Sequence, residues 1–279
     1  FLCSPLLQAA PLKVMLVLSE GTGAYQEFST ELQARISPQY ELQISHVGDP
    51  VKDADLLIAV GMKAATALSY STKPVLNTLV TSAGYAKLQR SAAPDFSAVF
   101  IDQPIERQIT LVSNTLPEAK RLGILHSSLS FDAATLRPVF AKHGITLVTQ
   151  LVNEAHPLAS ALSELLAQID VLLVIPDSAI YNSDTIRNIL LATYREQVPL
   201  VGLSASYVRA GALCAVYSTP QQIARQTAKM IEQFSISGKL PTVQYAEEFQ
   251  ISVNTQVARS LNLSIKDAEK LHAEMMGEQ

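Results

Sequence analysis

The stretch DVLLVIPDSAIYN, Asp170 to Asn182, decides how this chain is read. Its apolar residues run without a break from Val171 to Ile175 and stop at Pro176, Asp177 and Ser178. A strand with one wet face alternates apolar and polar side chains. An unbroken run of this length, bounded by turn residues, fits a strand covered on both faces, as in a parallel sheet. Asp177 then stands at the carboxyl end of that strand. There it is a catalytic carboxylate, a ligand contact or only a turn residue.

The same alternation extends in both directions. Lys13–Leu18 (KVMLVL), Tyr40–Val47, Leu56–Val60, Pro74–Leu79 and 97–101 read as strands. Helices follow the first strand through about Ile36, run through MKAATALSY from Met62, and cover 83–90. A helix follows Pro104, and then the pattern restarts. Arg121–Leu125, TLVTQLV, the stretch from Asp170 and PLVGL at 199–203 are strands, separated by helices over 131–143, 157–168 and roughly 183–196. Strands alternating with helices mean parallel sheets with helices on both faces, an α/β protein.

The two halves resemble each other. DLLIAVGMKAATALSY begins at Asp55 and DVLLVIPDSAIYN at Asp170. Each leads from an aspartate through an apolar strand and a helix to a proline-led strand. The offset between the halves grows from about 108 residues at their first strands to about 125 at those prolines. Two Rossmann-like lobes are the economical reading. In STPQQIARQTAKMIEQF, Thr219 is an N-cap, Pro220 takes N1 and Gln222 takes N3, a capping box. After the GKLP turn, VQYAEEFQISV is extended, and NTQVARSLNL and SIKDAEKLHAEMM are helical. This remainder is too little for a third domain and is best used by returning to each lobe in turn. The expected lobes are 11–103 with about 218–247, and 104–217 with about 248–279, joined by a three-crossing hinge.

The opening FLCSPLLQAA, Phe1 to Ala10, is apolar, ends in small residues before Pro11, and reads as the remnant of a secretory signal peptide. Cys3 follows Leu2, where lipid attachment would want a small residue. No apolar run approaches the ~20 residues that span a bilayer, so the mature chain is expected to be soluble. The 279 residues are 48% hydrophobic and 16% charged, which suits a packed globular protein. A net charge of −4, with no basic run and no Trp, argues against nucleic acid as a partner. Two distant cysteines, Cys3 and Cys214, form no disulfide framework or metal site, and Cys214 reads as a buried small hydrophobe.

Enzyme templates fail on spacing. There is no GxSxG, no Walker loop, no HExxH and no GxGxxG. SEGTGAY carries only Gly21 and Gly23. The five histidines show no metal-ligand spacing. His46 reads as half-buried strand, His126 as a strand-end residue, His143 as a helix-terminal cation and His272 as tail surface. The expectation is no catalytic residue, no metal and no cofactor.

In open parallel sheets, ligands sit beyond the carboxyl ends of the strands. Those ends hold Ser19, Glu20, Thr22, Gly61, Met62, Thr81, Ser82, His126, Ser127, Asp177, Ser178 and Ser204, with Asp102 nearby. Tyr181, Tyr207 and Tyr217 join the candidate ligand-binding set, because a tyrosine offers an apolar plate with a polar tip. Each Ser, Thr or Asp has a competing reading as a helix cap. The set is small, hydroxylated and poor in charge. No arginine follows these strands directly, although Arg209 lies close by. That suits a largely neutral or amino-bearing ligand with an apolar body.

From about residue 100 onward the chain resembles a bacterial family of ABC-transporter substrate-binding proteins, which includes tryptophan- and tyrosine-binding members. The resemblance rests on AKRLGIL after Leu116–Pro117, the strand ending at Pro176–Asp177, VPLVG with VRAGAL, GKLP, and VNTQVARSLNL, in that order. It implies the type I periplasmic binding protein fold, a periplasmic location, a small-molecule ligand that is amino-acid-like or more apolar, and a membrane permease as partner to a monomer. The first half departs from the family pattern. LVTSAG stands where Thr-Asp-Pro is usual, and FSAVFIDQP where Gly-Asn-Val-Thr-Gly is usual. Two other functions compete: a ligand sensor that signals to a membrane receptor, and an α/β enzyme.

Overall fold

The computed structural model describes residues 11–50, 53–88, 95–127 and 131–277. The signal reading and Cys3 lie outside the described residues.

The chain forms two compact units. One runs to Asp102 and takes in Ser218–Glu248; the other holds Gln103–Tyr217 and resumes at Phe249. In the first unit the order is β1 (Lys13–Leu18), α1 (Ala24–Arg35), β2 (Glu41–His46), β3 (Leu56–Val60), α2 (Met62–Ala67), β4 (Val75–Val80), α3 (Ser82–Ala86) and β5 (Phe96–Phe100). The second contains α4 (Ile105–Thr115), β6 (Arg121–His126), α5 (Ala133–Lys142), β7 (Thr146–Leu151), α6 (Leu158–Leu166), β8 (Val171–Leu173), α7 (Ile186–Arg195), β9 (Leu200–Gly202), α8 (Ala205–Ala210) and β10 (Cys214–Tyr217). Then α9 (Pro220–Ser237) and β11 (Gln244–Tyr245) return to the first unit. The chain ends in the second with β12 (Gln250–Val253), α10 (Thr255–Ser260) and α11 (Ala268–Met276).

Each unit holds one six-stranded sheet. The orders are β11-β5-β4-β3-β1-β2 and β12-β10-β9-β8-β6-β7, the same arrangement twice. Every pairing is parallel except β12 on β10. The α/β expectation with two similar lobes is borne out.

Each sheet separates two apolar cores, which explains the unbroken apolar runs. Val14, Leu16 and Leu18 enter the core shared with α1 and α9, whereas Met15 and Val17 enter the core under α2 and α3. In the second unit Val171 and Leu173 face the core of α4, α5 and α11, while Leu172 and Val174 face that of α6, α7 and α8. Cys214 is fully buried among them, and that burial pushes its thiol pKa up to about 12.

The aspartates that open the two similar stretches do the same work. Asp55 accepts from the backbone N–H of Lys13, the first residue of β1, at 2.9 Å. Asp170 accepts from the N–H of Arg121, the first residue of β6, at 2.8 Å, and from that of Lys120 at 2.9 Å. Arg121 adds a charged contact of 2.6 Å to Asp170. Burial alone would raise the Asp170 pKa, but these donors hold it below the ordinary carboxylate value.

The ends of the extra segment are tied down. Thr219 and Gln222 form the capping box reciprocally, at 3.2 and 2.8 Å, and Gly238 closes α9 at φ 70°. Within the first unit, Ser218 Oγ donates to the Glu248 carbonyl at 2.7 Å, and Arg225 bridges Glu31 and Glu248. Within the second, Arg107 lies over the Phe249 ring, 4.4 Å from its centroid, and donates to Gln103 Oε1. Residues flanking the three passages between units are thus fastened inside each unit.

Two histidine expectations are corrected. His46 is exposed, because β2 is an edge strand whose pattern leaves that side chain in solvent. His272 is not free surface. Its ring packs on Phe249, with centroids 4.8 Å apart, and Nε2 lies 3.1 Å from the Phe249 carbonyl oxygen.

Candidate ligand-binding site

The first unit brings most of its candidates to one edge of its sheet. Ser19 ends β1, and its Oγ accepts from the Ala64 N–H at 3.0 Å, so it caps the neighbouring helix α2. Gly61, just past β3, has φ 86°. A Cβ there would stand 2.5 Å from the Tyr25 ring and 2.7 Å from Ser19 Oγ, so only glycine fits. Beside them Glu20 pairs with Lys63 at 2.8 Å, both exposed, while Thr22 is exposed. The Met62 thioether lies against Gly84.

At the adjoining strand ends, Thr81 Oγ1 accepts from the Gly84 N–H at 3.0 Å, the cap reading of that residue. Asp102 accepts twice from Ser82, from N–H at 2.8 Å and from the hydroxyl at 2.5 Å. Burial raises the Asp102 pKa, against the lowering effect of those bonds.

The second unit repeats the plan with different chemistry. His126 ends β6 and stacks on Phe131, with centroids 4.6 Å apart. Asp177 accepts from the Ser127 N–H at 2.7 Å, from the Ser127 hydroxyl at 2.8 Å, and from the Ala179 N–H at 3.2 Å. The carboxylate therefore ties the end of β6 to the turn after β8. Ser178 is exposed. Ser204 Oγ lies 2.7 Å from Ser206 Oγ and does not cap α8. Tyr207 packs over Gly202, and burial raises its pKa. Tyr217 reaches across to β12, with its hydroxyl 3.0 Å from Ser252 Oγ.

Tyr181 differs from the expected plate with a polar tip. Its ring belongs to the core around Leu125, Leu190 and Val208, and the residue is only 6% exposed. Its hydroxyl is buried, and that burial raises its pKa strongly, against a lowering effect from the Leu125 backbone. Tyr25, Lys63 and Phe131 were missed by the sequence reading. Tyr25 falls in the first turn after β1, and an aromatic beside two strand-end candidates was the available signal. No group of three or more His, Cys, Asp or Glu among the described residues could hold a metal, and no helix among them is long and apolar enough to cross a membrane.

The model of the ABC transporter substrate binding protein family matches residues 33–275. A curated tyrosine-binding protein of Clostridioides difficile is 24% identical over 229 residues, which cover 78% of this chain and 66% of that protein, just under two thirds of its length. Among solved structures, a protein in complex with L-Trp from Streptococcus pneumoniae is 18% identical, with a TM-score of 0.65 over 95% of this chain and 98% of that one. A ligand-free, open substrate binding protein with adhesive properties from Clostridium difficile is 16% identical, with a TM-score of 0.69 over 93% and 97%. These likenesses, together with the paired six-stranded sheets, give the fold as that of type I periplasmic binding proteins. With most of its length matched, the chain belongs to the ABC transporter substrate binding protein family.

Proposed function

We propose that this protein works in the periplasm as a monomer that captures a small, largely neutral ligand and delivers it to the permease of an ABC transporter. The ligand is amino-acid-like with an apolar body, held between the two units, which close about the three passages of chain. The tyrosine- and L-Trp-binding relatives support that ligand class. One observation carries the reading. The strand-end carboxylates Glu20, Asp102 and Asp177 are each already bonded inside their own unit, to Lys63, Ser82 and Ser127. Three carboxylates at the strand ends repel an anionic ligand such as a phosphate ester, and Glu20 already has its cation in Lys63. The other strand-end side chains are apolar or aromatic, with a few hydroxyls: Met62, Tyr25, His126 stacked on Phe131, Ser204, Tyr207 and Tyr217. Such a lining suits an aromatic or aliphatic body with few polar anchors.

The test is mass spectrometry of small molecules released from natively purified protein, followed by calorimetric titration with L-tryptophan, L-tyrosine, L-phenylalanine and inorganic phosphate. Saturable binding of an aromatic or aliphatic amino acid, with none of phosphate, is expected. Recovery of a phosphorylated or multiply charged ligand overturns the reading. Small-angle scattering at saturation tests closure; unchanged dimensions count against it.

A further inference from the structure

Helix α7 has more apolar surface than its fold position needs. It packs inward through Ile189, Leu190 and Thr193, all buried. On its outer side Leu191 is 45% and Tyr194 50% exposed. Arg187 and Arg195 lie one helical period either side of Leu191, at i−4 and i+4, so all three share a stripe. The two arginines stand about 12 Å apart along the axis. Both are exposed, and neither belongs to an ion pair among the described residues. The nearest carboxylates in sequence are Asp184 and Glu196. Asp184 accepts from Ser183, and Glu196 lines the hollow toward α6 together with Arg195, without pairing with it.

Two hollows flank this stripe, both inside the second unit. One of about 510 Å³ is lined by Leu190, Leu191, Tyr194, Ala210, Gly211 and Val257, with Arg187 at its rim. The other, about 400 Å³, lies between α7 and α6. The first unit supplies an internal control. Its helix at the same place, α2 between β3 and β4, exposes Lys63, Thr66 and Ala67, and the turn after it exposes Tyr70. The scaffold therefore does not require an exposed leucine at the place of Leu191.

We infer that this groove docks an acidic amphipathic helix of a partner protein. Its apolar side chains fill the hollow beside Leu191 and Tyr194, and carboxylates two turns apart meet Arg187 and Arg195. Charge complementarity selects that occupant. The chain is net −4, yet the stripe through Leu191 carries Arg187 on the apolar groove and Arg195 on its other flank, neither of them in an ion pair among the described residues. Arginine and tyrosine around an apolar centre are the residue types that dominate binding energy at interfaces. A helix laid in a groove, rather than a flat lipid surface, matches the concave shape.

The probes are two synthetic helical peptides with leucines on one face, one flanked by glutamates and the other by lysines at the same positions. Each is titrated into the isotope-labelled full chain and followed by amide shifts. The glutamate peptide should bind saturably at α7, α8 and α10, and the lysine peptide at least about tenfold more weakly. Arg187→Glu with Arg195→Glu should reverse that preference. Leu191→Ser with Tyr194→Ser should weaken both peptides. The four side chains are exposed, so circular dichroism should be unchanged. Equal binding of the two peptides, no binding of the glutamate peptide, or a preference that does not reverse each overturns the inference. Sedimentation with phosphatidylglycerol vesicles, lost on the double arginine substitution, would assign the surface to a membrane and overturn it as well.

Discussion

The two sheets have the same strand order, yet the first takes its sixth strand parallel and the second antiparallel. The segment preceding each strand accounts for this. A parallel neighbour needs a long crossover, and α9, eighteen residues capped by Gly238, supplies it ahead of β11. No helix precedes β12. The chain enters the second unit at Phe249 and pairs at once, Gln250 opposite Tyr217, running back to Val253 opposite Cys214. The units also differ in how they turn at the strand ends. Counting from Asp55 and Asp170, Gly61 falls on Pro176 and Met62 on Asp177. The first unit turns on a glycine with positive φ and fastens the turn through Ser19 and an exposed ion pair. The second turns on a proline and fastens it through a half-buried carboxylate.

The largest break in this symmetry should come from Gly61→Val. It combines left-handed backbone strain with overlap on Tyr25 and Ser19, and should cost about 3 kcal/mol or more in urea unfolding. Valine at Pro176 should cost far less. Next, Asp177→Ala leaves the Ser127 and Ala179 donors without their acceptor, for about 2–3 kcal/mol. Asp177→Asn retains acceptor capacity and should recover much of that loss. Full ligand affinity in the Asn variant would mark Asp177 as a positioning residue, and lost affinity at unchanged stability would mark it as a contact.

A smaller and sharper contrast lies in pH. The Asp170 pKa is lowered in the fold, so its contribution is complete above about pH 4 and is lost as pH falls below that. Asp170→Asn should therefore be less stable than wild type at pH 7 and converge with it in acid. The Asp102 pKa is raised, so ionisation costs stability as pH climbs above about 4. Asp102→Asn should flatten that fall, while its amide oxygen still accepts from Ser82 N–H. Denaturant midpoints across pH, showing the same slope for both variants, would contradict the assignment. The smallest effect is expected for Lys63→Met. It breaks an exposed pair and should leave the urea midpoint within error.

Much of this was legible because strand burial is written locally. Val171 to Val174 alternate between two cores, so an unbroken apolar run meant a doubly covered strand. The capping box at Thr219 was equally local. The site was less legible because its bonds are not local. Ser127 and Asp177 are fifty residues apart and Ser82 and Asp102 twenty, and no spacing rule links them. Tyr181 lies only four residues beyond Asp177, yet it is drawn into the core, which its neighbours on β6 and α8 decide.

The capping of α9 also bears on the order in which the protein can be made. Its buried face, from Ile223 to Phe234, completes the core that Phe28 and Leu32 of α1 begin almost two hundred residues earlier. A chain emerging from the ribosome carries β1 to β5 with one face of their sheet only partly covered, by α1, until α9 arrives. The second unit likewise waits for β12. Neither half can finish before synthesis has entered the last fifth of the chain. Both remain open over that interval, with apolar sheet faces still exposed.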